Sequence, residues 1–178
     1  MFRNLPAIIK IMGTRENRGD IKWTAGLLLV IWAGILYSCS GGAVYDDYHS
    51  LKGSKWNKDS VLNFTVNIPD STTLYDIYFN VRNEGSYSYQ NLWLFIKVTP
   101  PQGGKLMQDT VELILANNAG KWYGSGIGDL YDKKYPYKHK VYFPNPGDYT
   151  FSVRQGMRSD DGILRGIHDF GFRVEKVN

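Results

Sequence analysis

The sequence predicts an all-β protein, a single antiparallel β-sandwich of jelly-roll or immunoglobulin-like type, standing behind an N-terminal signal peptide. Three observations predict it. From Val61 on, apolar and polar residues alternate, and a period of two is the mark of a strand with one wet and one dry face. Clusters of turn-forming residues punctuate these runs. No stretch of the mature chain sustains a 3.6-residue apolar period over three helical turns. The nearest, Arg154 to Ile163, carries Gly156 and Gly162 and amounts to a turn or two of helix at most.

In chain order, Leu62, Phe64, Val66 and Ile68 alternate with Asn63, Thr65 and Asn67. Tyr75, Ile77, Phe79 and Val81 form the second set. Leu92, Leu94, Ile96 and Val98 form the third, with Trp93, Phe95 and Lys97 on the opposite face. A shorter set is Val111, Leu113 and Leu115, and Val141 and Phe143 follow. Tyr149, Phe151 and Val153, then Phe170, Phe172 and Val174, close the series. β-Branched and aromatic side chains fill these runs and suit a pleated, half-buried surface. Between them stand Pro69-Asp70-Ser71, Asn83-Glu84-Gly85, Pro100 to Gly104, Asn117 to Gly120, Pro144 to Asp148 and Asp160-Asp161-Gly162.

Seven or eight short strands hide their apolar faces by packing two sheets together. A closed barrel is the alternative. The Cys…Trp…Cys pattern of true immunoglobulin domains is absent.

The first 38 residues divide as an export signal. Arg3, Lys10, Arg15, Arg18 and Lys22 make a basic leader, and Trp23 to Tyr37 is apolar or small throughout. About 15 residues suit a signal core, whereas a membrane-spanning helix needs roughly 20. Either Met1 or Met12 serves as a start. Leu36-Tyr37-Ser38-Cys39 resembles a bacterial lipobox, in which the thiol becomes linked to diacylglycerol; a short transmembrane anchor with an incidental Cys39 is the other reading. Cys39 is the one cysteine of the chain, so disulfides are excluded, and with Cys39 lipidated so are a Cys metal site and a Cys nucleophile. The expected organisation is a signal peptide over 1–38, a lipidated tether and N-terminal segment over 39–58, and the sandwich over 59–178. About 140 residues suit one domain. No acidic residue follows Cys39 directly, which favours the periplasmic face of the outer membrane.

The net charge of +4 belongs largely to the leader. Five basic and two acidic residues precede Cys39, leaving 16 basic against 15 acidic of the chain's 21 and 17. The densest basic run, Lys133-Lys134 to Lys138-His139-Lys140, is interleaved with Tyr135, Pro136 and Tyr137 and reads as a solvated loop and strand edge. No nucleic-acid stripe is visible.

His49, His139 and His168 are far apart and show no metal-ligand spacing, so no metal or cofactor is expected. Gly124-Ser125-Gly126-Ile127-Gly128 lacks the strand–turn–helix setting of a nucleophile elbow or a phosphate loop; a tight glycine loop with positive φ is the better account. Asp129 with Asp132, and Asp160 with Asp161, carry calcium-type oxygen ligands outside any EF-hand pattern. Trp93 and Phe95 make their strand apolar on both faces, which places it centrally in a sandwich or under a loop. The sharper alternative is an exposed platform for sugar rings or a partner. Trp122-Tyr123, Tyr135-Pro136-Tyr137 and Tyr87-Ser88-Tyr89 sit at strand ends and are the better candidates for exposure.

Several segments taken in order carry a resemblance. They are Val44-Tyr45-Asp46-Asp47-Tyr48-His49-Ser50-Leu51, Trp56-Asn57-Lys58-Asp59, Asn80-Val81-Arg82-Asn83 and Tyr89 to Ile96. The strongest is Gly120-Lys121-Trp122-Tyr123-Gly124-Ser125-Gly126-Ile127-Gly128-Asp129-Leu130-Tyr131-Asp132. Gln155 to Arg158, Gly166 to Asp169 and Gly171 to Glu175 complete it. Together they resemble the gliding-motility lipoprotein GldH family over nearly all of residues 39–178. The resemblance implies a lipoprotein for surface gliding in Bacteroidota, working with machinery linked to type IX secretion. The family carries no known catalytic residues, so only Cys39 transfers as a functional position. The implied partners are membrane lipid through Cys39 and other gliding or secretion lipoproteins. The competing reading is an envelope carbohydrate-binding module; a hydrolase requires acidic residues converging in a cleft.

Overall fold

Alternation in the sequence becomes alternation in burial. In the computed structural model, which describes residues 42–177, strand β3 (Leu62–Ile68) buries Leu62, Phe64, Val66 and Ile68 and exposes the residues between them. The expected signal segment and Cys39 lie outside the described residues. The remaining strands are β1 (Ala43–Ser50), β2 (Lys55–Asn57), β4 (Tyr75–Glu84), β5 (Asn91–Thr99) and β6 (Met107–Ile114). They are followed by β7 (Leu130–Val141), β8 (Gly147–Gln155), β9 (Ile163–Arg165) and β10 (Ile167–Lys176). No α-helix occurs among the described residues, and the segment after Arg154 that the sequence allowed a helical turn or two has none.

Two four-stranded antiparallel sheets, ordered β1-β10-β4-β7 and β3-β8-β5-β6, pack face to face, with β2-β9 as a small ribbon. The core between them is aromatic. Phe172 has no exposed surface and touches rings from both sheets: Phe151 at 4.5 Å, Phe64 at 5.4 Å, Phe79 at 5.8 Å and Tyr45 at 6.2 Å between centroids.

Two features depart from the sequence reading. First, the sheet begins at Ala43, not at residue 59. Strand β1 pairs with β10 from Ala43↔Glu175 to Ser50↔Asp169, and Trp56 is wholly buried against Phe170 at 5.2 Å. Asp46 and Asp47 interrupt the apolar pattern of β1, as an edge strand permits. Second, Lys133 to Lys140, read as a loop and strand edge, lie wholly within a twelve-residue strand: the edge holds and the loop does not. Strand β7 is a sheet edge, where lysines and a proline such as Pro136 are tolerated and discourage further pairing.

Candidate functional site

The body offers three surfaces on which chemistry could act. The outer face of β3-β8-β5-β6 carries Trp93 (39% exposed), Phe95 (44%), Val61 (44%) and Ile114 (48%). Register places Trp93 opposite Glu112 and Phe95 between Thr110 and Arg154. The Arg154 guanidinium stands 6.0 Å from the Phe95 ring centroid. A groove of about 410 Å³ beside it is lined by Val61, Lys97, Gln108, Thr110 and Arg154. The expectation that Trp93 and Phe95 lie under cover is therefore corrected in part: strand β5 is internal to its sheet and the Gly156–Met157 segment reaches these two rings, but both stay substantially exposed. The terminal clusters are corrected in the other direction. Tyr87 and Tyr135 are buried, Trp122, Tyr89 and Tyr137 pack against the core, and only Tyr123 is broadly exposed. The Tyr87 hydroxyl donates to the Asn91 carbonyl at 2.8 Å.

The outer face of β1-β10-β4-β7 is polar and internally paired. Buried Asp169 accepts from Ser50 Oγ at 2.6 Å and from Arg82 Nη1 at 2.9 Å, and lies 2.9 Å from His168 Nδ1. Burial alone would raise its carboxyl, but the Ser50 and His168 hydrogen bonds and the Arg82 charge hold it below the usual range. Arg82 also pairs with Asp132 at 3.0 Å. Ser50, His168 and Asp169 come together, yet not as a nucleophile, base and orienting acid. In such a triad the histidine stands between the other two, whereas here serine and histidine both turn to the carboxylate. Further along the face, Arg173 pairs with Asp46 and with Glu175, which also binds Lys134 at 3.1 Å. The contacts of Ser50, Arg82, Asp132, Asp46 and Lys134 with β10 and with one another were not legible from spacing, because they join four strands distant in sequence.

The other nominated residues take structural roles. His49 packs edge-on to Phe64 at 4.9 Å and His139 lies 2.7 Å from Asp76. Asp161 pairs with Arg165 at 2.6 Å, so neither Asp132 nor Asp161 remains an unpaired ligand. No group of three or more metal-type side chains occurs among the described residues. In the glycine loop, Gly128 takes φ +68°, the left-handed conformation that residue permits.

The third surface is an apolar cleft of about 490 Å³ between the sheets at their β6–β7 edge, walled by Val98, Val141, Phe143, Tyr149 and Phe151. It opens at the end of the sandwich where the chain enters β1: Ala43 pairs with Glu175, and the neighbouring Lys176, Tyr75 and Val141 are in register with one another. Among the described residues no helix is long and apolar enough to cross a membrane.

These features define a class: an all-β sandwich that presents a paired polar face, an open aromatic face and one apolar cleft. The GldH lipoprotein family model matches residues 43–174. The gliding motility lipoprotein GldH homolog of Christiangramia forsetii is 42% identical over 156 residues, covering 84% of this chain and 94% of that protein. The gliding motility lipoprotein GldH of Flavobacterium johnsoniae is 36% identical over 154 residues, with the same two coverages of 84% and 94%. The chain belongs to the GldH lipoprotein family, as the resemblance in the sequence implied, and is a gliding motility lipoprotein in that sense. Dimeric latent PorU of Porphyromonas gingivalis overlaps 78% of this chain and 14% of its own at TM-score 0.26 and 10% identity, too slight a likeness to relate the two.

Proposed function

We propose that this protein is a non-enzymatic envelope lipoprotein, held by a diacylglyceryl thioether on Cys39 at the periplasmic face of the outer membrane. It acts by contact with other lipoproteins of the gliding machinery and the type IX secretion system linked to it. The observation that carries the reading is the exposed Trp93–Phe95 face. Large apolar side chains left open beside an arginine have the composition of a protein-contact surface. The polar residues of the opposite face pair with one another, and Ser50 donates to the Arg82-paired Asp169 carboxylate rather than to His168, which is not the arrangement of a histidine-activated nucleophile. Membrane tethering raises effective concentration, so individually weak contacts suffice.

Cys39→Ala releases the protein into the soluble periplasmic fraction; retention in the membrane pellet with no lipid adduct by mass spectrometry overturns the anchor. Cross-linked capture from membranes recovers gliding or secretion lipoproteins with the unaltered chain and loses them with Trp93→Ala/Phe95→Ala, whose melting temperature is unchanged. Capture that persists in the double variant overturns the contact face. A carbohydrate-binding reading draws on the same two rings, since flat aromatics also stack on sugars. It requires saturable change in Trp93 fluorescence on adding envelope glycans.

A further inference from the structure

We propose that the apolar cleft at the β6–β7 edge binds one acyl chain of a bilayer phospholipid. The proposal draws on the Cys39 anchor for the origin of the ligand; the cleft stands without it.

Size and chemistry come first. The cleft measures about 490 Å³, within the range of small-ligand sites. Its lining comes from both sheets and runs from the buried Val98, Tyr149, Phe151 and Phe143 to the half-buried Val141 and the exposed Met107 and Tyr142. Water entering such a lining finds few partners. The polar groups stand at the rim, where Lys105 and Lys138 flank Met107 and Tyr142. Lys138 binds Asp109 at 2.8 Å across the β6–β7 edge, and Lys105 has no ion-pair partner among the described residues. An apolar slot with cations at its mouth fits an amphiphile inserted tail first, its phosphate left outside.

Position supplies the ligand. Tyr142 is 67% exposed, Met107 54%, Leu106 49%, Val44 40% and Leu74 39%. All five lie at the end of the body that holds the cleft and the entry of the chain into β1. Exposed apolar side chains gathered beside an apolar cleft suit a surface that meets an apolar phase. Three Cα–Cα steps lead from Cys39 to Gly42, a reach of at most about 11 Å. A lipid on Cys39 therefore keeps this end close to the bilayer, where acyl chains are abundant.

Two arms test the proposal. In buffer, the Cys39→Ala chain is titrated with cis-parinaric acid, a fatty acid whose fluorescence rises in apolar surroundings. One saturable site is expected, with affinity at least tenfold weaker in Val141→Trp, which fills the cleft, and in Met107→Asp, which charges its exposed mouth. Trp93→Ala serves as the unaffected control. No saturable binding, or unchanged affinity in whichever cleft variant stays folded, overturns the site. In the second arm, the lipidated chain is placed in phosphatidylethanolamine vesicles containing a phospholipid with a photoactivatable acyl chain. Cross-links on Met107 and on Tyr137 to Phe143 are expected. Their absence, with the Cys39→Ala chain still binding parinaric acid, means that the protein's own lipid or another occupant fills the slot and overturns the assigned source. Failure of the anchor reading is seen separately, as a wild-type mass lacking the diacylglyceryl adduct while parinaric binding persists.

Discussion

Replacing Phe172 by alanine tests the account of the core most directly. The ring is wholly buried and lies where the sheets meet, within 4.5 to 6.2 Å of Phe151, Phe64, Phe79 and Tyr45. Truncation removes its transfer energy and leaves a cavity whose rigid aromatic walls cannot close over it; such changes cost about 3–5 kcal/mol. Against a typical stability of about 5–15 kcal/mol, that is a large share. For a body of this length, with roughly 3–5 °C lost per kcal/mol, the melting temperature falls by about 9–25 °C. Thermal unfolding of the Cys39→Ala chain, followed by circular dichroism, reads this directly. Phe95→Ala is the internal control: it removes the same ring from an exposed position and shifts stability by less than about 0.5 kcal/mol. If Phe172→Ala melts no lower than Phe95→Ala, the sheets do not close over an aromatic seam and the packing described here is wrong.

Other outcomes follow from named contacts. Hydrogen bonds from Ser50 and His168 and the Arg82 charge outweigh burial to hold Asp169 below the usual carboxylate range, and the Lys138 hydrogen bond does the same for Asp109. Both groups therefore stabilise the fold above about pH 4, and that contribution is lost as pH falls through their depressed values. Burial pushes Tyr45 and Tyr135 up to about 12, so their contribution is complete below about pH 10 and is lost as pH rises toward 12. Urea midpoints across the pH range should form a plateau between these flanks, and a maximum at either extreme contradicts it. Gly166→Ala places a Cβ 2.8 Å from Tyr87 Cα at φ +92°, adding steric overlap to a conformational cost of about 1–3 kcal/mol. It must therefore destabilise more than Gly120→Ala, which has φ +78° and open space; equal losses in chemical denaturation refute the close approach. Asp109→Asn breaks a half-exposed ion pair across the sheets and costs less than about 1 kcal/mol, as a denaturant titration would show.

Much of the fold was legible because a half-buried strand writes its burial into every second residue. Leu62 to Ile68, Leu92 to Val98 and Phe170 to Val174 announce themselves in this way, and each is a strand. Strands β1 and β7 were not legible. In these two edge strands Asp46, Asp47, Lys133 and Lys134 interrupt the apolar alternation that the edge strand β3 keeps, and pairing with β10 and β4 is what makes them strands.

The candidate surfaces divide along the same line. Lipobox and family resemblance are properties of contiguous sequence and need no fold to be read. Which face of β5 meets solvent is different: the run Leu92 to Val98 is apolar on both sides, and only the position of the second sheet decides that Leu94 is covered and Phe95 is not. The Asp169 cluster and the apolar cleft also belong to tertiary structure alone, since each is assembled from strands far apart in the chain. Local sequence thus determined the regularly alternating strands, their turns and the proposed lipid attachment; long-range packing decided the strands β1 and β7 and which side chains were left facing outward.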